Sequence, residues 1–412
     1  MNDTELYRQI LGIELPWYVS RVELDLASEE VRVHLEYRLM SEWKCSSCGA
    51  PASVHDHRDE RSWRHLDSCQ LKTFLVASLP RVKCPKHGVL TVRVPWTEPE
   101  SRFTQMFERF AIDVLRATGV QAKAAQLLRL SPGQVHDLMH RAVVRGRQRR
   151  DTQVSVPHVS LDEKSFKSGH QFVTVLGDSR GKRVLEVAEG RTQEIAENLL
   201  KEGLSESQKR GVQSVSMDMW VAFMNARESV LPESDTVHDR FHVAKYLNDA
   251  VDKTRRAENR TLQREDDTSL HKSKYLWLKG PDNMTEKQRT ALEALNSLEL
   301  ETAKVWAFKE SFRSFFEYQS ETDAKAFFLT WYEAAVALSN THLTKVARML
   351  KSHLKGLLAY IRHKVTNALA EALNGQIQRI KANARGFRRF ENFRIAILFF
   401  LGKLNLYPQR NP

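Results

Sequence analysis

Three carboxylates in this 412-residue chain stand where metal-dependent chemistry on a phosphodiester needs them. Asp162 follows the apolar run ending at Leu161, and Asp218 follows Val215-Ser216-Met217, so each is expected where a buried strand reaches the end of its sheet. Two facing carboxylates repel each other unless a cation stands between them, which selects a hard divalent ion such as Mg²⁺. The third acid, Glu371, lies in the segment Thr366–Phe390. On a helix, Asn367, Glu371, Asn374 and Gln378 form one polar stripe, while Leu369, Leu373, Ile377 and Ile380 form a second, apolar face suited to packing on a sheet. Glu371 would then complete a site for two Mg²⁺ ions about 3.5–4 Å apart, able to activate a nucleophile and stabilise a leaving oxygen.

A second set of residues has metal-ligand spacing. Cys45-Ser46-Ser47-Cys48 and Cys84-Pro85-Lys86-His87 are two short knuckles separated by alternating, strand-like text. Each tight turn presents two ligands, and the pair completes the tetrahedral shell of one structural Zn²⁺. His55, His57, His65 and Cys69 are competing ligands, with Cys69 otherwise expected as a spare buried thiol. With three of four cysteines in such motifs, metal binding in a reducing compartment is favoured over a disulfide framework.

The elements that must position these groups follow from periodicity and charge. The formal charge is +12, and it is concentrated: residues 101–150 carry ten Lys/Arg against three acids, and residues 361–412 carry ten against two. A polyanion held at two places is the natural reading. From Ser101 the text is helical: Phe107–Ala117, then Gln121–Leu128, then a helix opened by Ser131-Pro132 as N-cap and first turn and running to about Val143. The arrangement is that of a helix-turn-helix, with Gln134, His136 and Arg141 offered to a DNA groove and Arg145, Arg147, Arg149 and Arg150 flanking it. No apolar segment is long enough to span a bilayer, so a cytoplasmic, nucleoid-associated protein is expected.

Upstream, Val22, Leu24 and Leu26 against Val31, Val33 and Leu35 predict a hairpin turning at Ala27–Glu30. Downstream, strands are predicted at Val156–Leu161, Phe172–Leu176, Val184–Val187, Val212–Met217 and Thr236–Val237, with a helix from Thr192 to about Glu202. Three meandering strands, a helix and further strands give the order of a ribonuclease-H-like sheet, in which the first and fourth strands can be neighbours. The aromatic, helical text from about Arg255 to Leu343 predicts an independently packed insertion. The fold class is therefore α/β and all-α multidomain. Its expected parts are a β-rich zinc ribbon (1–98), a helix-turn-helix (99–150), the first part of a catalytic domain (151–254), an all-helical insertion (255–345) and a C-terminal part carrying the Glu371 helix (346–412).

These motifs together resemble bacterial insertion-sequence transposases of the ISL-three type, with an Asp-Asp-Glu triad. The resemblance rests on Leu161-Asp162-Glu163, Ser216-Met217-Asp218-Met219-Trp220, Asp239-Arg240-Phe241-His242, Tyr275-Leu276-Trp277-Leu278 and Asn367 through Gly386, and it covers almost the whole chain. It implies a ribonuclease-H-like domain interrupted by a helical insertion, the triad Asp162, Asp218 and Glu371, and Asp239 and His242 beside it. Helix capping is the competing role for Asp239. The family's ribbon usually ends in Cys-x-x-Cys, so His87 is a departure from its pattern.

The function implied is binding of terminal inverted repeats, then Mg²⁺-dependent end cleavage and strand transfer into target DNA, by a homodimer or higher oligomer on paired ends. Asn367, Asn374, Lys381, Arg385, Arg388 and Arg389 are the expected DNA contacts near Glu371. The rival readings are a domesticated, non-cutting DNA-binding regulator and a purely hydrolytic nuclease.

Overall fold

The computed structural model describes residues 2–38, 41–167, 171–238, 240–364 and 368–409; of residues 281 and 368–371 it describes the backbone alone. The chain forms two compact units, residues 1–150 with 404–412, and residues 151–403.

The first unit opens with a helix that the strand pattern did not announce, α1 (Asp3–Leu11), capped by Asn2, whose side chain accepts from Glu5 N. Then come β1 (Trp17–Asp25), β2 (Glu30–Tyr37), β3 (Trp43–Lys44), β4 (Pro51–His57), β5 (Arg61–Arg64), β6 (Lys72–Ala77), β7 (Pro80–Cys84) and β8 (Gly88–Thr91). They make two four-stranded sheets, β1-β2-β6-β5 and β3-β4-β7-β8. The β1–β2 hairpin forms as expected, with Leu24 paired to Val31. Its buried side is Val31, Val33 and Leu35 with Trp17 and Val19, whereas Leu24 and Leu26 are exposed. Alternation in β1 therefore overstates its core, because the outer end of the hairpin extends past the sheet's cover. Trp17, Trp43, Trp63 and Trp96 fill that core, with edge-to-face contacts such as Trp17 on Trp96 at 5.0 Å.

Three helices complete this unit: α2 (Gln105–Thr118), α3 (Gln121–Leu128) and α4 (Pro132–Gln148). Ser131 and Gln134 form a reciprocal capping box at the start of α4. This last helix runs beyond the expected Val143, because Arg145 and Gly146 are buried on it: the Leu404 side chain of the C-terminal tail fills the space beside Gly146.

In the second unit, β9 (His158–Lys167), β10 (Gln171–Asp178) and β11 (Arg183–Glu189) are an antiparallel meander, followed by α5 (Gln193–Gly203), α6 (Glu206–Gly211), β12 (Ser214–Met217), α7 (Val221–Val230) and β13 (Asp235–His238). The sheet order is β11-β10-β9-β12-β13, with β12 parallel to both of its neighbours. The first and fourth strands of this unit are thus adjacent, as its element order allows. Thr192 caps α5, and the helix with α7 covers one face through Leu199, Leu200 and Phe223.

The remaining helices are α8 (Arg240–Leu262), α9 (Lys274–Leu278), α10 (Glu286–Asn296), α11 (Glu301–Phe312), α12 (Glu321–Ala337), α13 (Thr341–Ser352), α14 (Leu354–His363), α15 (Ala368–Asn383) and α16 (Phe390–Leu401). The aromatic residues are core, as expected: Trp277, Phe312, Phe315 and Phe328 are fully buried. The helical region is not independently packed, however. Its apolar cluster takes in Met219 and Val237 from the sheet side, and its first helix, α8, already opens at Arg240, so sheet edge and helices share one core.

Within that shared core α14 packs closely against β13. A Cβ on Gly356 would stand 2.4 Å from the His238 ring. His238 is itself buried, with its pKa pushed down to about 4 by burial and by the adjacent His353, so the imidazole is neutral. Gly356→Ala is expected to force these elements apart and cost roughly 1–3 kcal/mol, the usual range for overpacking. An unchanged melting temperature for that variant would show that the contact tolerates a methyl group.

Candidate active site and metal centre

Asp162 does not end its strand. β9 continues to Lys167, because its antiparallel pairing with β10 runs on to Lys167↔Gln171. On the other side, pairing with β12 stops at Ser160↔Ser216. The sheet end therefore exists on the β12 side alone. Continuing that register by two residues sets Asp218 level with Asp162, at the C-terminal end of β12.

Leu161 points into the α5/α7 core, so its neighbour Asp162 points to the opposite face. There its Oδ2 accepts from Asn374 Nδ2 at 2.6 Å and lies 3.1 Å from Lys164 Nζ. Asn374 is on α15, whose apolar face is seated by buried Leu373 and Ile377. Leu373 Cδ1 lies 3.7 Å from where a Cβ on Gly177 of β10 would be, so the glycine lets α15 approach the sheet. Asn374 was expected to contact DNA, but its amide is engaged with the acid, because the helix approaches the sheet at this residue. Glu371 occupies a backbone position three residues earlier on α15, on the same face and about one turn away. Asn367 and Asp239 lie outside the described residues.

Around Asp218, His242 Nδ1 is 3.3 Å from Oδ2, and Tyr246 Oη donates to Oδ1 at 3.2 Å. The Met219 N–H also donates to Oδ1, at 2.7 Å. His242 therefore stands beside the acid. Tyr246 was missed by the sequence reading, although it follows His242 at i+4 on the same face of α8. Burial, then the Asp218 charge, pushes the Tyr246 phenol up to about 12, so it stays protonated and donating. The other nearby acids have structural partners: Glu163 pairs with Arg191 at 3.1 Å, and Asp178 with Arg183 at 2.9 Å.

In the first unit, the ligand atoms of Cys45, Cys48, Cys84 and His87 lie within 4.8 Å of one another. Separations are 3.8 Å for Cys48 Sγ to Cys84 Sγ, 3.6 Å for Cys84 Sγ to His87 Nδ1, and 3.7 Å for Cys45 Sγ to His87 Nδ1. A tetrahedral shell with Zn–S of about 2.3 Å and Zn–N of about 2.0–2.1 Å has edges of about 3.8 and 3.6 Å, so the donor set fits a zinc ion. The Lys86 backbone N–H and the His87 ring hold the Cys84 thiol down at about 6. The competing histidines are engaged elsewhere: His65 with Thr104, His57 with Tyr37 and His55 with Asp56. Cys69 is exposed, not buried, in the turn between β5 and β6, where its φ is 51°.

The helix-turn-helix residues divide. Arg145 is 5% exposed and paired with Glu98 and with Glu108 at 2.7 Å, and it donates to Leu406 O of the C-terminal tail. Arg141 donates to Glu108 at 2.6 Å, and Arg149 to Tyr407 O at 2.6 Å. These three were expected to contact DNA; they are internal ion pairs and tail anchors instead, because buried Glu108 needs cationic partners. Gln134 is used in the capping box, its side chain accepting from Ser131 N at 2.9 Å. Of the four arginines expected to flank the helix-turn-helix, Arg145 and Arg147 lie within α4.

Comparison with known proteins agrees with this architecture. A family profile described as "Transposase" matches residues 159–397, more than half of the chain. Profiles for the zinc-finger of transposase IS204/IS1001/IS1096/IS1165 and for the helix-turn-helix domain of transposase family ISL3 match residues 41–87 and 92–143. The chain belongs to the ISL3 transposase family: it is an insertion-sequence transposase with DNA-binding domains. It is 26% identical to the transposase for insertion sequence element IS1001 of Bordetella parapertussis, over 86% of this chain and 87% of that protein. It is also 26% identical to the transposase for insertion sequence element IS1557 of Mycobacterium tuberculosis, over 94% of this chain and 93% of that protein. Among the described residues no helix is long and apolar enough to cross a membrane.

Proposed function

We propose that this transposase cuts the terminal inverted repeats of its element and joins the freed ends to target DNA, using a ribonuclease-H-like sheet on which Asp162, Asp218 and Glu371 hold Mg²⁺. The observation that carries this is the juxtaposition just described. The β9–β12 register, whose last pair is Ser160↔Ser216, leads two residues on to Asp162 and Asp218, and Asn374, one turn from Glu371, hydrogen-bonds Asp162. Bound Mg²⁺ supplies charge stabilisation to in-line phosphoryl transfer, first to water at the element end and then to the freed 3′-hydroxyl.

The chain's own groups orient the acids. Tyr246 and the Met219 N–H hold the Asp218 carboxylate with His242 beside it, and Asn374 fixes Asp162. Asp239 is assigned to the same surroundings, and Asn367 to DNA binding, by the family pattern. Lys381, Arg385, Arg388 and Arg389 are assigned to DNA phosphates along α15 and the turn after it. Lys381 also donates to Ser165 O at 2.9 Å, which ties that basic stretch to β9. In the first unit, His136, Arg147 and Arg150 are assigned to DNA by their place in the helix-turn-helix, and Cys45, Cys48, Cys84 and His87 to one structural Zn²⁺. The working form is a homodimer or larger assembly on paired ends, acting in the cytoplasm.

The test is incubation of the purified protein with Mg²⁺ and a plasmid carrying the DNA that flanks this reading frame. Cleavage at the element ends followed by joined products is the expected result. Cutting without joining would mark a hydrolytic nuclease, and binding without cutting a regulator; either outcome overturns the proposal.

A further inference from the structure

The first unit holds a groove of about 890 Å³. One wall is the first metal knuckle, through Ser46 and Ser47, and the other is the outer side of α4, through His140 and Gln148. Six arginines but only three acids line it.

The arginines differ in what they are doing. Arg141, Arg145 and Arg149 are engaged with Glu108, Glu98 and the C-terminal tail, as described above. Arg61 lies 5.2 Å over the Trp63 ring and donates to Ser101 O at 2.6 Å, which aims it without neutralising it. Burial and the neighbouring Arg58 and Arg102 charges lower its pKa, a sign of crowded positive charge. Arg58 and Arg93 are exposed, and among the described residues no ion pair or side-chain hydrogen bond engages either. Exposed guanidiniums without carboxylate partners are unspent forks for an anion, and the guanidinium geometry matches phosphate oxygens.

The groove is open to solvent, and it runs between the knuckle in the stretch matched by the zinc-finger profile and α4 of the helix-turn-helix. We propose that it holds the sugar-phosphate backbone of duplex DNA, with Arg58 and Arg93 as phosphate contacts, so that ribbon and helix-turn-helix grip one continuous segment. The inference rests on the reading that this transposase binds duplex DNA, and it adds a shared surface that α4 alone does not provide.

The test compares full-length wild type with the Arg58→Ala/Arg93→Ala double variant on a duplex of about 30 base pairs and arbitrary sequence, titrated across salt concentration. Backbone contacts are sequence-independent, so this probe suffices. The expected result is at least about tenfold weaker binding at ~100 mM salt and a salt slope shallower by about two, with zinc content and melting temperature unchanged. Arg58→Lys/Arg93→Lys should retain the wild-type slope. Unchanged affinity in the alanine variant, or weaker binding at an unchanged slope, would overturn the groove assignment alone. A wild type that fails to bind the duplex would overturn the DNA reading and the groove together.

Discussion

Asp218→Asn is expected to abolish Mg²⁺-dependent cleavage of DNA carrying the element ends, lowering the rate by at least about 10³-fold. The magnitude follows from losing several kcal/mol of charge stabilisation in a site where each 1.36 kcal/mol is about tenfold in rate. The substitution keeps size and shape. An asparagine Oδ1 can still accept from Tyr246 and from the Met219 N–H, so the end of β12 is not disturbed. The folded state should therefore change by less than about 1 kcal/mol, within the ordinary range for a substitution that buries nothing new. Two measurements settle the matter: the cleavage rate across Mg²⁺ concentration, and the affinity for the same DNA in the absence of divalent ions. Activity within tenfold of wild type would remove Asp218 from the triad. Lost affinity together with a lowered melting temperature would mean that the acid is structural. Because the β9–β12 register leads to both acids, Asp162→Asn is expected to give the same phenotype, and the double variant to be no worse than either single one if the two act as a unit.

The second large effect is at the Cys/His centre. Purified protein is expected to contain about one zinc per chain, and Cys84→Ser to contain less than about a tenth of an equivalent. Ser cannot supply the thiolate that the Lys86 N–H and His87 stabilise at Cys84. Metal that binds only the folded state stabilises it in proportion to its affinity, so loss should lower the melting temperature of the first unit by several degrees. Collapse of the whole unit is not expected. The centre clips β3 to the β7–β8 hairpin, while the cluster of Trp17, Trp43, Trp63 and Trp96 is a core in its own right. A chelator should therefore release zinc and loosen the two knuckles while the tryptophan fluorescence of the core largely persists. Acid should do the same, because protons compete with the metal for the thiolates and the His87 imidazole. A wild-type protein with no zinc, or a Cys84→Ser protein that retains it, would remove this centre.

Much of the local structure could be read directly. Helix α3 has the bounds that periodicity predicts, and Ser131-Pro132 and Thr192 begin their helices as their side chains allow. The two knuckles converge at the expected four ligands, with His87 completing the set in place of a cysteine. Each of these is a short-range effect: a cap acts within three residues, a knuckle within four, and an apolar repeat within a turn or a pleat. Strand adjacency was also legible, because element order restricts a sheet of this kind to few topologies.

What the chain concealed depends on partners distant in sequence. Arg145 has the same type and spacing as its exposed neighbours, and only buried Glu108 and the returning tail turn it inward. Asn374 belongs to a polar stripe that could face solvent, and the 212 residues separating it from Asp162 carry no signal of their contact. Tyr246 is an ordinary aromatic in a helical stretch until α8 is laid beside the end of β12. The sequence by itself determined the acids, the metal knuckles and the helices that carry them, since these follow from local periodicity and side-chain chemistry. Only the tertiary structure decided which charges are spent internally and which groups aim the acids, because burial and non-local contact exist only once the elements have packed.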